Sequence, residues 1–267
     1  MAANPEVTST RAPTARQAVI AVVTALTALA VGTAASASTS SVAECSAHPV
    51  SDDMLDVAFD EGVGTDDTVI IGADYQRAFA LDDGRVLWVF QDAFIERGGA
   101  TTLVHNAGAM QDAACFDVLI GGDGTPTSLV AAGSTTDEQH WYWPLDGYQR
   151  DADTFVLFVA EMEERGGSYL SNATPVATHT VEIDLRSGDA GALTGAPDST
   201  DALYGFEITE DDEHRYLYAQ CHRQFGFGWL GHDECAEEVT VARQPLDQPS
   251  APLDYWDGAG WTRNSRN

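Results

Sequence analysis

The stretch from Gly72 to Asp92 constrains the fold more than any other part of the chain. Two apolar runs flank Asp83-Gly84, with Asp74 at one end of the stretch and Asp92 at the other. Asp-Gly tolerates the positive φ that a type I′ turn needs at both central positions, so the chain is predicted to reverse there as a β-hairpin. On the return strand Val86, Trp88 and Phe90 share one face, while Leu87 and Val89 share the other. A strand apolar on both faces belongs inside a packed stack of sheets. A turn centred on Asp83-Gly84 sets Tyr75 opposite Asp92 and Asp74 opposite Ala93, which brings both carboxylates to the open end of the hairpin. Side chains alternate in a regular ladder, so a shared site for Asp74 and Asp92 requires a bulge, which Gly72 permits. The plain alternative is that both acids are solvated strand ends.

The same pattern returns twice. Two further short strands, Leu103–Asp112 and Cys115–Ile120, complete a four-stranded unit, and a Gly/Ser/Thr-rich loop over 121–137 closes it. A second hairpin runs through Trp141–Gly147, the turn Asp151–Asp153 and the apolar strand Thr154–Glu161. A third runs through Leu203–Ile208, the acidic turn Glu210–Glu213 and Arg215–Ala219. Outer strands follow at Val176–Leu185, Val239–Leu246 and Leu253–Trp261. Units of four short strands with no helical periodicity between them predict an all-β, propeller-like fold. The expected domain covers residues 58–267, with three recognisable blades at about 68–121, 139–195 and 201–262. Alignment of the second strands puts Asp92, Glu161 and Cys221 at equivalent positions.

The chain of 267 residues carries 42 acids against 13 basic residues, all of them Arg, for a net charge of −29. Nucleic acid and anionic membranes would be repelled, so neither is an expected partner. Near the N-terminus Arg11 and Arg16 precede an uncharged run from Ala18 to Ala37 that ends in Ala35-Ser36-Ala37. Residues 1–37 therefore read as a signal peptide, with secretion and no stable membrane association after its cleavage. An uncleaved membrane anchor is the alternative. Residues 38–57 read as an irregular segment that includes Cys45. All four cysteines, Cys45, Cys115, Cys221 and Cys235, follow the cleavage site, so two disulfides are expected, with three connectivities open. The preferred pairs are Cys45 with Cys115 and Cys221 with Cys235; the second closes a short loop worth about 3 kcal/mol. A metal site from Cys221, His222, His232 and Cys235 is weighed against this. It lacks a regular zinc-finger spacing, so no metal is expected there. No cofactor is expected. Structural calcium at Asp146, Asp151 and Asp153 competes with a plain acidic turn, because the spacing is not that of an EF-hand.

An ordered set of motifs then narrows the reading: Gly72-Ala73-Asp74, residues 81–92, His105-Asn106, Trp141-Tyr142-Trp143-Pro144, Tyr204-Gly205, Val241-Ala242-Arg243 and residues 255–261. This set resembles secreted actinobacterial uncharacterised-domain proteins, a group related in fold to five-bladed β-propeller glycoside hydrolases of the endo-D-arabinanase kind. The resemblance spans roughly Val69 to Trp261. It departs from the family's Gly-Asp-Thr at Gln91-Asp92-Ala93, which keeps the acid and changes its neighbours. Five units spaced about 60 to 70 residues apart need more than roughly 300 residues. The expectation is therefore an incomplete five-bladed propeller, truncated, self-associating or built with fewer blades.

Glycoside hydrolysis needs two carboxyl groups across the scissile bond. Asp74, Asp92 and Glu207 are the candidate catalytic residues, with Glu161 as a further acid from the second unit. Glu207, between Phe206 and Ile208, is the acid expected to be part-desolvated, against the alternative that it faces water. His105, Asn106, Trp141 and Trp143 are the candidate substrate-binding residues, set against a core role for the aromatics. No Gly-rich phosphate loop, Gly-x-Ser-x-Gly elbow or His-Glu-x-x-His is present. The resulting expectation is a secreted glycoside-hydrolase-like protein acting on a cell-wall or environmental polysaccharide, with a furanose polymer implied by the resemblance. A non-catalytic carbohydrate- or protein-binding propeller module and an inactive truncated remnant are the alternatives. Substrate linkage and oligomeric state are not set by the sequence.

Overall fold

The computed structural model describes residues 62–65, 67–112, 115–122, 124–131, 140–164, 173–196, 202–221, 239–248 and 251–263. All lie within one compact unit, residues 43–267. The expected signal peptide and the irregular segment after it fall outside the described residues. Among the described residues every regular element is a strand, in four antiparallel sheets.

The first sheet orders β1 (Val63–Thr65), β2 (Thr68–Ala73), β5 (Ala93–Arg97) and β6 (Ala100–Val104). The second orders β3 (Arg77–Ala80), β4 (Val86–Phe90), β7 (Ala107–Asp112) and β8 (Cys115–Leu119). The third runs from β9 (His140–Asp151) through β10 (Thr154–Glu164) and β11 (Ala173–Asp184) to β12 (Thr194–Gly195). The fourth joins β13 (Ala202–Glu210), β14 (His214–Cys221), β15 (Thr240–Pro245), β16 (Asp254–Trp256) and β17 (Trp261–Thr262).

Alternation of apolar side chains explains how these sheets stack. On β4, Trp88 and Phe90 enter a cluster with Ile70, Ile95 and Val104 of the first sheet. Leu87 and Val89 point the other way, into a cluster with Phe155, Leu157 and Val159 of β10. On β10 the pattern repeats, because Val156, Phe158, Ala160 and Met162 pack on Leu203, Leu217 and Ala242 of the fourth sheet. Central strands buried on both faces read as continuous apolar runs, as the sequence predicts for β4 and β10.

Two expectations are corrected by this topology. The residues read as one first blade, 68–121, are divided between two sheets, because three long strands keep the same neighbours along their length but each bends in its middle. β2 continues into β3 across residues 74–76, β4 into β5 across 91–92, and β6 into β7 across 105–106. The turn also differs. Leu81 N–H donates to Arg85 O and Gly84 N–H to Leu81 O, and of the loop residues Gly84 alone has positive φ, +90°. This is a three-residue loop with glycine in the left-handed position, a common alternative to type I′. The register moves by one residue, with Arg77 opposite Val89 and Ala80 opposite Val86.

Candidate active site

The shift of one residue sets Asp74 directly against Asp92. Asp74 N–H donates to Asp92 O at 3.1 Å, and Gln91 N–H donates to Asp74 O at 3.1 Å. The bulge that a shared site requires lies beside Gly72: β2 slips against β5 between Ile70 and Gly72, leaving Ile71 unpaired in the ladder. Beyond Asp74 the chain turns through Tyr75, whose φ of +45° is the left-handed region that a bulky residue adopts at a cost on the order of 1 kcal/mol. Arg77 holds that turn, donating from Nε and Nη2 to Tyr75 Oη at 3.2 and 2.8 Å.

Around the acid pair the bends bring in further side chains. Asp92 Oδ1 accepts from Trp143 Nε1 at 3.0 Å and lies 3.0 Å from His105 Nδ1. The His105 ring stacks on Trp141, with centroids 4.9 Å apart. Burial raises the carboxyl pKa of Asp74 above the ordinary value, and repulsion from Asp92 adds to it. Hydrogen bonds to backbone N–H groups oppose both.

Several sequence candidates take other places. Asn106 is buried, and its amide is fully engaged: Nδ2 donates to Val130 O and Tyr142 O, and Oδ1 accepts from Val130 N–H. Trp141 is buried in the cluster between the third and fourth sheets. Both are buried and support the site from behind, whereas His105 and Trp143 remain part-exposed beside Asp92. Glu207 is exposed, contrary to the expected desolvation. A bulge at Gly205-Phe206 turns it toward Arg77 Nη1, 3.0 Å away. The acid that is desolvated in this region is Asp146, whose pKa burial raises against the Arg77 charge and the N–H groups of Gly147 and Ile208. Arg77 lies 3.3 Å from Asp146 and donates to Phe206 O at 2.7 Å, so one guanidinium joins β3, β9 and β13.

Glu161 sits in a second polar cluster that sequence reasoning saw only in part. Its two oxygens lie 2.9 Å from His140 Nδ1 and 2.7 Å from His179 Nε2. The histidines come from β9 and β11, on either side of β10, and separations of 21 and 18 residues hide such a group from a linear reading. Asp146, Asp151 and Asp153 do not converge. Asp151 caps the Asp153 N–H and pairs with Arg150, while Asp153 pairs with Arg186. Cys115 is disulfide-bonded. The side chains of Cys45, Cys221 and Cys235, and the histidines at 222 and 232, lie outside the described residues. A cavity of 630 Å³ between the third and fourth sheets is lined by Tyr148, Arg150, Glu182, Gln244, Tyr255 and Arg263, among others. A second of 350 Å³ adjoins Glu207. Neither is lined by Asp74 or Asp92.

Comparison with known proteins gives a likeness in fold and a family. A solved structure from Bacteroides ovatus ATCC 8483, described as that of "a putative hydrolase", is similar in fold at a TM-score of 0.59 and 16% identity. The match covers 80% of this chain, which spans 58% of the length of that one. No curated protein matches the chain. The family described as Domain of unknown function (DUF5005) matches residues 56–267, and the chain belongs to it.

Proposed function

We propose that this is an exported, propeller-like glycoside hydrolase that cleaves a cell-wall or environmental polysaccharide. Asp74 would act as the acid and Asp92 as the base or nucleophile. The observation that carries the reading is the pairing of Asp74 with Asp92 across bent strands, beside Trp143 and His105. Glycoside hydrolysis needs one carboxyl that holds its proton and one with lone pairs oriented at the sugar. Asp74 fits the first role because its pKa is raised, and Asp92 fits the second because Trp143 Nε1 fixes its Oδ1. The propeller-like arrangement is supported by Arg77, which joins the first strands of three successive sheets. Hydrolysis as a class is in keeping with the description of the Bacteroides ovatus structure, and export with a disulfide at Cys115. The family resemblance favours a furanose polymer.

A second reading, a non-catalytic carbohydrate-binding module, draws on a different observation. Glu161 and Glu207 are both committed to protein partners, so the site offers one acid pair and no reserve. Incubation of the purified protein with arabinans, galactans and other polysaccharides, followed by chromatography of released sugars, separates the two. Release from at least one polymer is expected. Retention of a polymer on the protein without release would select the binding module.

A further inference from the structure

The outer face of the first sheet carries an apolar group that the core does not use. Phe94 is 50% exposed, Ile71 46% and Leu103 45%. They are neighbours by register, because Phe94 pairs with Gly72 on one side and with Leu103 on the other. A side chain built at Gly72 would meet the Phe94 ring at 3.9 Å, so the glycine leaves the ring open toward β2. Two residues further along each strand stand Asp74, Asp92 and His105. The ladder continues through the Asp74–Asp92 pair, so the two rows are consecutive along the strands, about 7 Å apart on the backbone. The apolar row therefore borders the acid pair where the strands bend.

We propose that Phe94, flanked by Ile71 and Leu103, is the platform on which the polysaccharide seats the ring next to the scissile bond, and that the polymer is uncharged. This rests on the hydrolase reading above. An aromatic face takes the C–H face of a sugar, and the exposed flat side of Phe94 beside a glycine offers the space for it. Charge sets the second half of the proposal. The exposed Glu96 shares this face, and Asp74 and Asp92 border it, in a chain of net charge −29, so a uronic-acid polymer would be repelled. Seating one ring beside the acids also requires cleavage within or near a chain end where that neighbouring ring exists, so single-residue glycosides would be poor ligands.

The test measures binding of soluble neutral arabinan, neutral galactan and polygalacturonan by calorimetry, with the full protein bearing Asp74→Asn so that nothing is consumed. At least one neutral polymer is expected to bind. Phe94→Ala in that background should weaken it by about tenfold or more, Phe94→Trp should retain it, and the melting temperature of all three should agree. Affinity within twofold after Phe94→Ala, or tighter binding of polygalacturonan than of the neutral polymers, overturns the proposal. So does a dimer that Phe94→Ala abolishes, which would assign the face to a second copy. If the wild type releases sugar but Phe94→Ala leaves affinity unchanged, the platform alone fails. If Phe94→Ala abolishes binding of a polymer that is never cleaved, the hydrolase reading alone fails. Absence of binding to either neutral polymer overturns the platform, and absence of release from every polymer of the wider panel overturns the hydrolase reading.

Discussion

Asp74 holds its proton more tightly in the folded protein than its ordinary value of 3.8, because its carboxyl is partly desolvated and faces Asp92, although the residue is exposed overall. Between that value and the raised one the folded state binds more protons than the unfolded state, so this group makes stability fall as pH rises through the window. Asp74→Asn should flatten that limb of the stability curve and leave the melting temperature at pH 7 equal to or above that of the wild type, a sign that scanning calorimetry from pH 3 to 7 reads directly. Asn106 gives the opposite case. Its amide satisfies three buried backbone groups, and Asn106→Ala strands them at a cost of about 2–4 kcal/mol, seen as a lower urea midpoint at unchanged slope. The acids at 74 and 92 were legible in the sequence because both end apolar runs. The roles of Asn106 and Trp141 were not, since a polar or aromatic residue looks the same whether it faces ligand or core. Long-range partners settle that question, and Val130 and Tyr142 are 24 and 36 residues from Asn106.

The hairpins at β3–β4, β9–β10 and β13–β14 were legible from alternation and turn residues, and all three form. The division of one meander between two sheets by bends within β2 to β7 was not, because a bent strand and two separate strands have the same hydrophobic pattern. Turn geometry mattered most: one extra loop residue at Asp82-Asp83-Gly84 decides whether Asp74 meets Asp92 or Ala93. In the third hairpin Asp211 accepts hydrogen bonds from Tyr216 Oη and from the N–H groups of Glu213 and His214, which lower its pKa to about 2. That contribution is complete above the ordinary value of 3.8 and is lost as pH falls toward about 2. Asp211→Asn should remove this acid limb from the stability curve. Gly205, at φ +93° in the β13 bulge, has the Phe158 ring where a side chain would begin. Gly205→Ala is expected to destabilise by about 2 kcal/mol or more and to weaken the approach of Glu207 to Arg77, measurable as a lower urea midpoint.

Across the four sheets, two of the three interfaces between them hold the acid pair in place from behind. Phe90 and Ala93 fix the strand bend from the first interface, and Leu87 and Val89 from the second. The two acids are thus positioned by packed strands, which hold geometry better than loops do. The sequence patterns predicted sheets stacked face to face, while their number followed from strand bends that no pattern marks. Asp74 and Asp92 are proposed to act as one catalytic pair. Initial rates of reducing-sugar release from the polymer that the wild type cleaves, measured side by side for wild type, Asp74→Asn and Asp92→Asn at equal folded concentration, test it most directly. Each substitution is expected to lower the rate by about 10²–10⁴-fold with the melting temperature maintained. Release by either folded variant at a rate near that of the wild type would contradict the account.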